Sequence, residues 1–127
     1  MKNKRKLSII KYNKEIMNKL EITKEDYKAN LLLKEFNNKY KTNIEDIDIP
    51  ELDLSKTNLG NQRLKALSKI IFKGLNILNL NDNEISDINM LSVFNLPDLK
   101  ELDLSDNKIS DITILEKVNF KNLKYYI

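Results

Sequence analysis

The sequence predicts an α/β solenoid, in which short parallel strands stack into a curved sheet and turns or helices return the chain along the other side. The first observation is a repeat, because ELDLSKTNL, ILNLNDNEI and ELDLSDNKI begin at Glu51, Ile77 and Glu101 and are therefore almost evenly spaced. The second is the alternation of leucines inside each copy, which is the period of a β-strand. The third is a helical spacing of apolar residues after the first copy. Periods of roughly 20 to 50 residues are typical of stacked-repeat folds.

The copies share the pattern L-x-x-L-x-L-x-x-N-x-L. Two copies match it completely, at Leu75, Leu78, Leu80, Asn83 and Ile85 and at Leu99, Leu102, Leu104, Asn107 and Ile109. The first copy has Ile49, Leu52, Leu54, Thr57 and Leu59, with a threonine in place of the asparagine. A fourth copy begins with LKYYI, and it places Tyr126 as far after Leu102 as Leu102 is after Leu78. We therefore divide this part of the chain into repeats 49–74, 75–98 and 99–122 and a partial repeat 123–127.

The ninth position of the pattern predicts a ladder of structural turn residues, Thr57, Asn83 and Asn107. An asparagine amide both donates to and accepts from backbone groups that a turn leaves unpaired. Thr57 has only a hydroxyl, which supplies one such bond but not the full set. We therefore expect the first turn to be the looser one.

The pattern resembles that of leucine-rich repeat proteins over residues 49–127. The first repeat is similar to the ribonuclease-inhibitor type, which has a helix after the turn. The second and third are similar to the shorter intracellular repeats of phosphatase regulators and internalins. The resemblance implies a non-catalytic protein–protein interaction module that binds its partner on the concave strand face.

The return segment of the first repeat has a helical period. Leu64, Leu67 and Ile71 fall at i, i+3 and i+7, and Gly74 is positioned to end the helix. In the two later repeats the return contains shorter turn segments, for which Ser86-Asp87 and Ser110-Asp111 are candidate caps.

Residues 1–48 predict a helical N-terminal cap, since a terminal repeat needs a polar cover over its apolar end. Thr23 and Asp26 form a capping pair, and the apolar spacing predicts helices over about 8–20 and 24–39. The segment has 12 basic and 8 acidic residues. An alternative therefore stays open, in which a basic arm binds nucleic acid or an acidic membrane. Its basic residues are Lys2, Lys4, Arg5 and Lys6.

The outward positions of the strands form the candidate binding site. Alternation from the inward leucines assigns to it Glu51, Asp53, Ile77, Asn79, Glu101, Asp103 and Tyr125. The face is mostly acidic and polar, so it favours a protein partner with a basic segment and disfavours nucleic acid. Two alternatives stay open: the residues are ordinary solvent-facing strand positions, or the chain is a structural or assembly fragment of a longer repeat protein without a ligand of its own.

Composition argues against an enzyme. The chain has no cysteine, no histidine and only two glycines, which excludes zinc–thiolate sites, thiol nucleophiles and glycine-rich phosphate loops. Asp53 and Asp103 lie two strands apart on an open face, which does not enclose a substrate. We therefore expect no cofactor, no metal site and no small-molecule substrate.

The remaining expectations concern compartment and assembly. The longest apolar runs are only three side chains long, at Leu31-Leu32-Leu33 and Ile70-Ile71-Phe72. We therefore expect no membrane span and no signal peptide, and a cytoplasmic location. The net charge is only +3, which also disfavours nucleic-acid binding. A strand at 123–127 has an open edge. Three explanations of that edge stay open: a longer repeat array, edge-to-edge pairing of two copies, or a terminal strand that is simply frayed.

Overall fold

The computed structural model describes residues 14–19, 21–118, 120 and 123–127. The chain divides between Ile47 and Asp48 into two compact units. The helices are α1 (Lys14–Lys19), α2 (Lys24–Tyr40), α3 (Gly60–Leu67) and α4 (Ile114–Lys117), with a 3-10 helix at Asn89–Ser92. The strands are β1 (Glu51–Asp53), β2 (Ile77–Asn79), β3 (Glu101–Asp103) and β4 (Lys124–Tyr126).

The first unit is built on α2. The Thr23 hydroxyl accepts from the backbone N–H of Asp26 at 3.0 Å, which caps the helix where the sequence predicted a capping pair. Ala29, Leu33 and Phe36 form its buried stripe. Leu32, four positions before Phe36, is 39% exposed and does not join this stripe. The predicted helix over 8–20 is described only at α1, and the basic cluster at residues 2–6 lies outside the described residues.

The second unit contains one parallel sheet with strand order β1-β2-β3-β4. Leu52, Leu78 and Leu102 are direct partners on neighbouring strands, as the repeat predicted. Leu78 and Leu102 are completely buried. The parallel sheet, with helices between its strands, is an α/β repeat fold. The role of the helical unit as a cap stays a prediction.

The fourth strand differs from its predicted register by one position. Tyr125, not Tyr126, is the partner of Leu102, and Lys124 and Tyr126 pair with Glu101 and Asp103. Because strand side chains alternate with a period of two, a shift of one position exchanges the two faces. The assignment of Tyr125 to the outward face was therefore wrong. The interval from Leu102 to its partner on β4 is shorter by one position than the interval from Leu78 to Leu102.

The turn asparagines connect neighbouring repeats. Asn107 Oδ1 accepts from the N–H groups of Asn83 (3.0 Å) and Ile85 (2.9 Å), and its Nδ2 donates to the carbonyl of Leu80 at 3.0 Å. Asn83 bonds the first repeat in the same way. The Thr57 hydroxyl donates to Leu54 O at 2.7 Å. The first turn has no asparagine of its own, but its N–H groups are bonded by Asn83 of the next repeat.

The return segments become shorter along the chain. Helix α3 ends at Leu67, with Ser68 as its C-cap, and not at Gly74 as the sequence predicted. The chain then turns so that Ile70 and Phe72 enter the core, which a continuing helix does not allow. Gly74 has φ +68° and lies immediately before the next repeat.

Asp87 and Asp111 each lie just before the N-cap of a later return segment. The N-caps themselves are Ile88 and Thr113, and neither makes a side-chain cap bond, so the predicted caps were wrong. Asp87 Oδ1 accepts from the N–H of Asn89 at 2.9 Å, and Asp111 Oδ1 accepts from the N–H of Thr113 at 3.0 Å and from its hydroxyl at 2.7 Å. These bonds hold the pKa of Asp111 below its usual value, the backbone N–H of Thr113 contributing most. The helices of the described residues are too short or too polar to span a lipid bilayer.

Candidate functional site

The outward side chains of the four strands form two columns, which we call the strand face. The column nearer the start of the strands contains Glu51, Ile77, Glu101 and Lys124. The column nearer their ends contains Asp53, Asn79, Asp103 and Tyr126. Neighbouring strands lie about 4.8 Å apart, so the members of a column are within reach of one partner segment.

The structure brings six of the seven predicted binding residues together on this face. The seventh, Tyr125, pairs with Leu102 and is therefore aligned with the inward leucines of the other strands. Lys124 and Tyr126 replace it on the face, and sequence reasoning missed both. The repeat interval alone could not reveal them, because the length of the third return segment determines which residue pairs with Leu102.

Three strand-face residues also terminate their strands. Asp53 Oδ1 accepts from the Ser55 N–H at 2.9 Å, and Asn79 Oδ1 accepts from the Asn81 N–H at 3.0 Å. Asp103 Oδ1 accepts from the backbone N–H of Ser105 and from its hydroxyl. Each side chain therefore turns its own backbone after the strand. A carboxylate has about four acceptor sites, so these bonds leave capacity for a partner.

The hydrogen bonds at the end of β1 change the acidity of Asp53. The Ser55 hydroxyl, followed by the Ser55 backbone N–H, holds the pKa of Asp53 below its usual value, against a smaller opposing effect of burial. Donors to the ionised form stabilise it, so this carboxylate keeps its negative charge at mildly acidic pH. The strand face is consequently anionic at β1, where Glu51 and Asp53 are both exposed.

At β4 the charge has the opposite sign. Lys124 Nζ lies 5.7 Å from the centre of the Tyr126 ring, a cation–π distance. A hydrogen bond with Tyr126 raises the pKa of Lys124, and the charges of Tyr126 and Glu101 act in the same direction. The face that the sequence predicted to be acidic and polar therefore also has a cation, Lys124, at this end. The charge changes from negative at β1 to positive at β4.

Just beyond the strand ends, a side-chain amide connects two neighbouring repeats. Asn81 Nδ2 donates to Ser105 Oγ at 2.8 Å and to Asp106 Oδ2 at 3.1 Å, linking the second and third repeats. Lys56, Asp82 and Asp106 follow at equivalent positions, each with a positive φ near 55°. The same left-handed turn thus recurs in three repeats, and it presents these three charged side chains along one edge of the strand face.

Comparison with known proteins agrees with the geometry of the sheet. Residues 73–117 match the family model described as leucine-rich repeats in two copies. Residues 73–117 of the chain are leucine-rich repeats. No curated protein and no solved structure matches the chain. Leucine-rich repeats commonly mediate protein–protein interactions and are typically non-enzymatic. Within the described ranges, no group of three or more acidic side chains is placed to hold a metal ion.

Proposed function

We propose that the chain is a non-catalytic protein-binding module and that its partner docks a basic segment on the strand face. The proposal rests on one observation above all: Glu51, Asp53, Glu101 and Asp103 belong to two aligned columns of one sheet. Regular spacing of like charges on a rigid support favours a partner with cationic side chains at a matching interval.

The centre of the face supplies contacts of another kind. Ile77 and Asn79, both half-buried, lie between the acidic pairs of β1 and β3. An apolar side chain and an amide between flanking carboxylates favour a segment in which basic residues flank a small or apolar one. Desolvated contacts at the centre of an interface contribute most of its affinity, and rim charges contribute mainly to association rate and specificity.

Lys124 gives the proposed interaction a direction. A basic side chain of the partner is attracted at β1 and β3 and repelled at β4. The segment therefore crosses the strands with its cationic residues over β1–β3, and an acidic or neutral residue lies near Lys124.

The experiment is a pull-down from a cell lysate of the organism that encodes the chain, analysed by quantitative mass spectrometry. The test variant carries Glu51→Gln, Asp53→Asn, Glu101→Gln and Asp103→Asn. Asparagine keeps the turn bond, since Asn79 already makes that bond in β2. The matched control neutralises four exposed acidic residues off the face, Glu35, Glu45, Asp98 and Glu116.

We expect a set of proteins retained by the wild type and the control but lost from the test variant, with binding that weakens steeply as salt rises. Identical retained sets for the wild type and the strand-face variant would overturn the proposal. Circular dichroism melting curves verify that all three proteins are folded.

A further inference from the structure

A second surface with an unassigned role lies between α3 and the 3-10 helix. It is an open groove of about 690 Å³. One wall belongs to α3 and the turn after it, with Lys65, Lys69 and Ile71. The other wall belongs to the 3-10 helix and its flanks, with Asp87, Met90 and Val93. These residues follow β1 and β2 in the chain and are separate from the strand face.

The groove exposes apolar side chains that the fold does not use in its core. Val93 is 71% exposed and Ile71 is 47% exposed, while their neighbours Ile70 and Phe94 are buried. Isolated exposed apolar residues are ordinary. Here two of them line the same concave surface together with the half-buried Met90, a side chain that adapts to different partners.

The charges of the groove favour an anionic partner. Lys65 and Lys69 are exposed and lie at i and i+4, on α3 and on the turn that continues it. Both side chains line the groove, Lys65 from α3 and Lys69 from the turn after the C-cap Ser68. Among the described residues, neither ammonium group forms an ion pair. Asp87 is the one acidic residue of the lining, and its carboxylate is bonded to the Asn89 N–H.

We propose that this groove binds an acidic amphipathic segment of a partner protein. The apolar side chains of the segment pack against Ile71, Met90 and Val93, and its carboxylates pair with Lys65 and Lys69. The segment has the opposite charge to the one proposed for the strand face. The leucine-rich repeat chain is thus an adaptor with two docking surfaces of opposite specificity. The two surfaces share no residue, so either interaction can fail without the other.

The test is a peptide-display selection on the wild-type chain, with depletion on the Lys65→Glu, Lys69→Glu variant. Affinities of the enriched peptides are then measured by fluorescence anisotropy against the wild type, the depletion variant and Val93→Ser. The matched control is Lys56→Glu, Lys100→Glu, which changes the net charge by the same amount at exposed positions outside the groove.

We expect enriched peptides that combine Asp or Glu with large apolar residues. Their affinity falls about tenfold in the double-lysine variant and about fivefold in Val93→Ser, and it is unchanged in the control. Enrichment of basic peptides, equal affinity for all four proteins, or failure to enrich any peptide that distinguishes them overturns the proposal. A Val93→Ser variant that changes only self-association, measured by sedimentation, identifies a second copy as the occupant and overturns it as well.

Discussion

The side-chain oxygen of Asn83 lies 2.9 Å from the backbone nitrogen of Leu59, which belongs to the preceding repeat. The same oxygen accepts from the Thr57 N–H at 3.1 Å, and the amide nitrogen donates to Leu54 O at 2.8 Å. Each asparagine of the ladder therefore closes the turn of the repeat before its own. The stabilities of neighbouring repeats are consequently coupled through the side chain of Asn83, which is polar and completely buried.

Replacing Asn83 with alanine removes the partners of several backbone groups at once. Buried groups left unpaired cost about 1–3 kcal/mol each, so we expect Asn83→Ala to lower the free energy of unfolding by about 3 kcal/mol. Urea denaturation followed by circular dichroism measures the change. Thr57→Val is the reference, with an expected loss of about 1 kcal/mol. A smaller loss for Asn83→Ala than for Thr57→Val would contradict the coupling between repeats.

Replacing Thr57 with asparagine tests the direction of the ladder. The Thr57 hydroxyl already donates to Leu54 O, and β1 is the first strand of the described sheet. A new amide oxygen at position 57 therefore finds no earlier repeat strand in that sheet to bond. We expect Thr57→Asn to change the free energy of unfolding by less than about 0.5 kcal/mol. Asn107 also donates within its own turn, to Leu104 O at 3.0 Å. A gain of about 1 kcal/mol or more in the same urea experiment would mean that such own-turn bonds, and not those to the preceding repeat, supply most of the stabilisation.

Adjacent positions of β2 separate the core from the strand face. Leu78 is completely buried and Ile77 is half-buried on the outward side. We expect Leu78→Ala to cost about 3 kcal/mol of unfolding free energy, because it leaves a cavity between the strands and the return segments. We expect Ile77→Ala to cost about 1 kcal/mol or less. Similar costs at the two positions would mean that the alternation of faces is absent.

The Ser55 hydroxyl controls the titration of Asp53. The folded-state pKa of this carboxyl lies below its unfolded value of about 3.9. Its contribution to stability is therefore complete above about pH 4 and is lost as the pH falls through the folded-state pKa. Ser55→Ala removes the hydroxyl bond but keeps the backbone N–H, so we expect the pKa of Asp53 to rise toward the unfolded value. Carboxyl-detected NMR titration measures it. An unchanged pKa in Ser55→Ala excludes the hydroxyl as the cause.

Lys124 tests the charge change along the strand face. We expect Lys124→Glu to strengthen binding of the partners that the strand-face pull-down identifies, since it continues the acidic column of Glu51 and Glu101 onto β4. The gain is about threefold for one exposed charge reversal. Surface plasmon resonance at two salt concentrations measures it. Tyr125→Glu serves as the comparison, because Tyr125 is aligned with the inward leucines and not with the strand face. An equal gain in affinity for Tyr125→Glu would be incompatible with the observed register.

The repeat pattern was sufficient to predict the sheet. Leucines that alternate with a period of two, and that recur at nearly equal intervals at Leu52, Leu78 and Leu102, have one way to bury their side chains, which is to align on neighbouring parallel strands. The positions of the turn asparagines and of α2 also follow from the sequence, because capping and periodicity are local properties. Six of the seven candidate binding residues lie on the strand face for the same reason.

The register of β4, the early end of α3 and the groove between α3 and the 3-10 helix depend on packing between parts of the chain that are distant in sequence. The register of β4 depends on how the third return segment packs, and a change of one position in its length exchanges Tyr125 with its neighbours. Helix α3 ends at Leu67, which lets Ile70 and Phe72 reach the core. Local signals for a helix end, such as a glycine, do not reveal this packing requirement. The groove joins residues of two repeats, and their distance in space is set by packing between repeats and not by the pattern within either one.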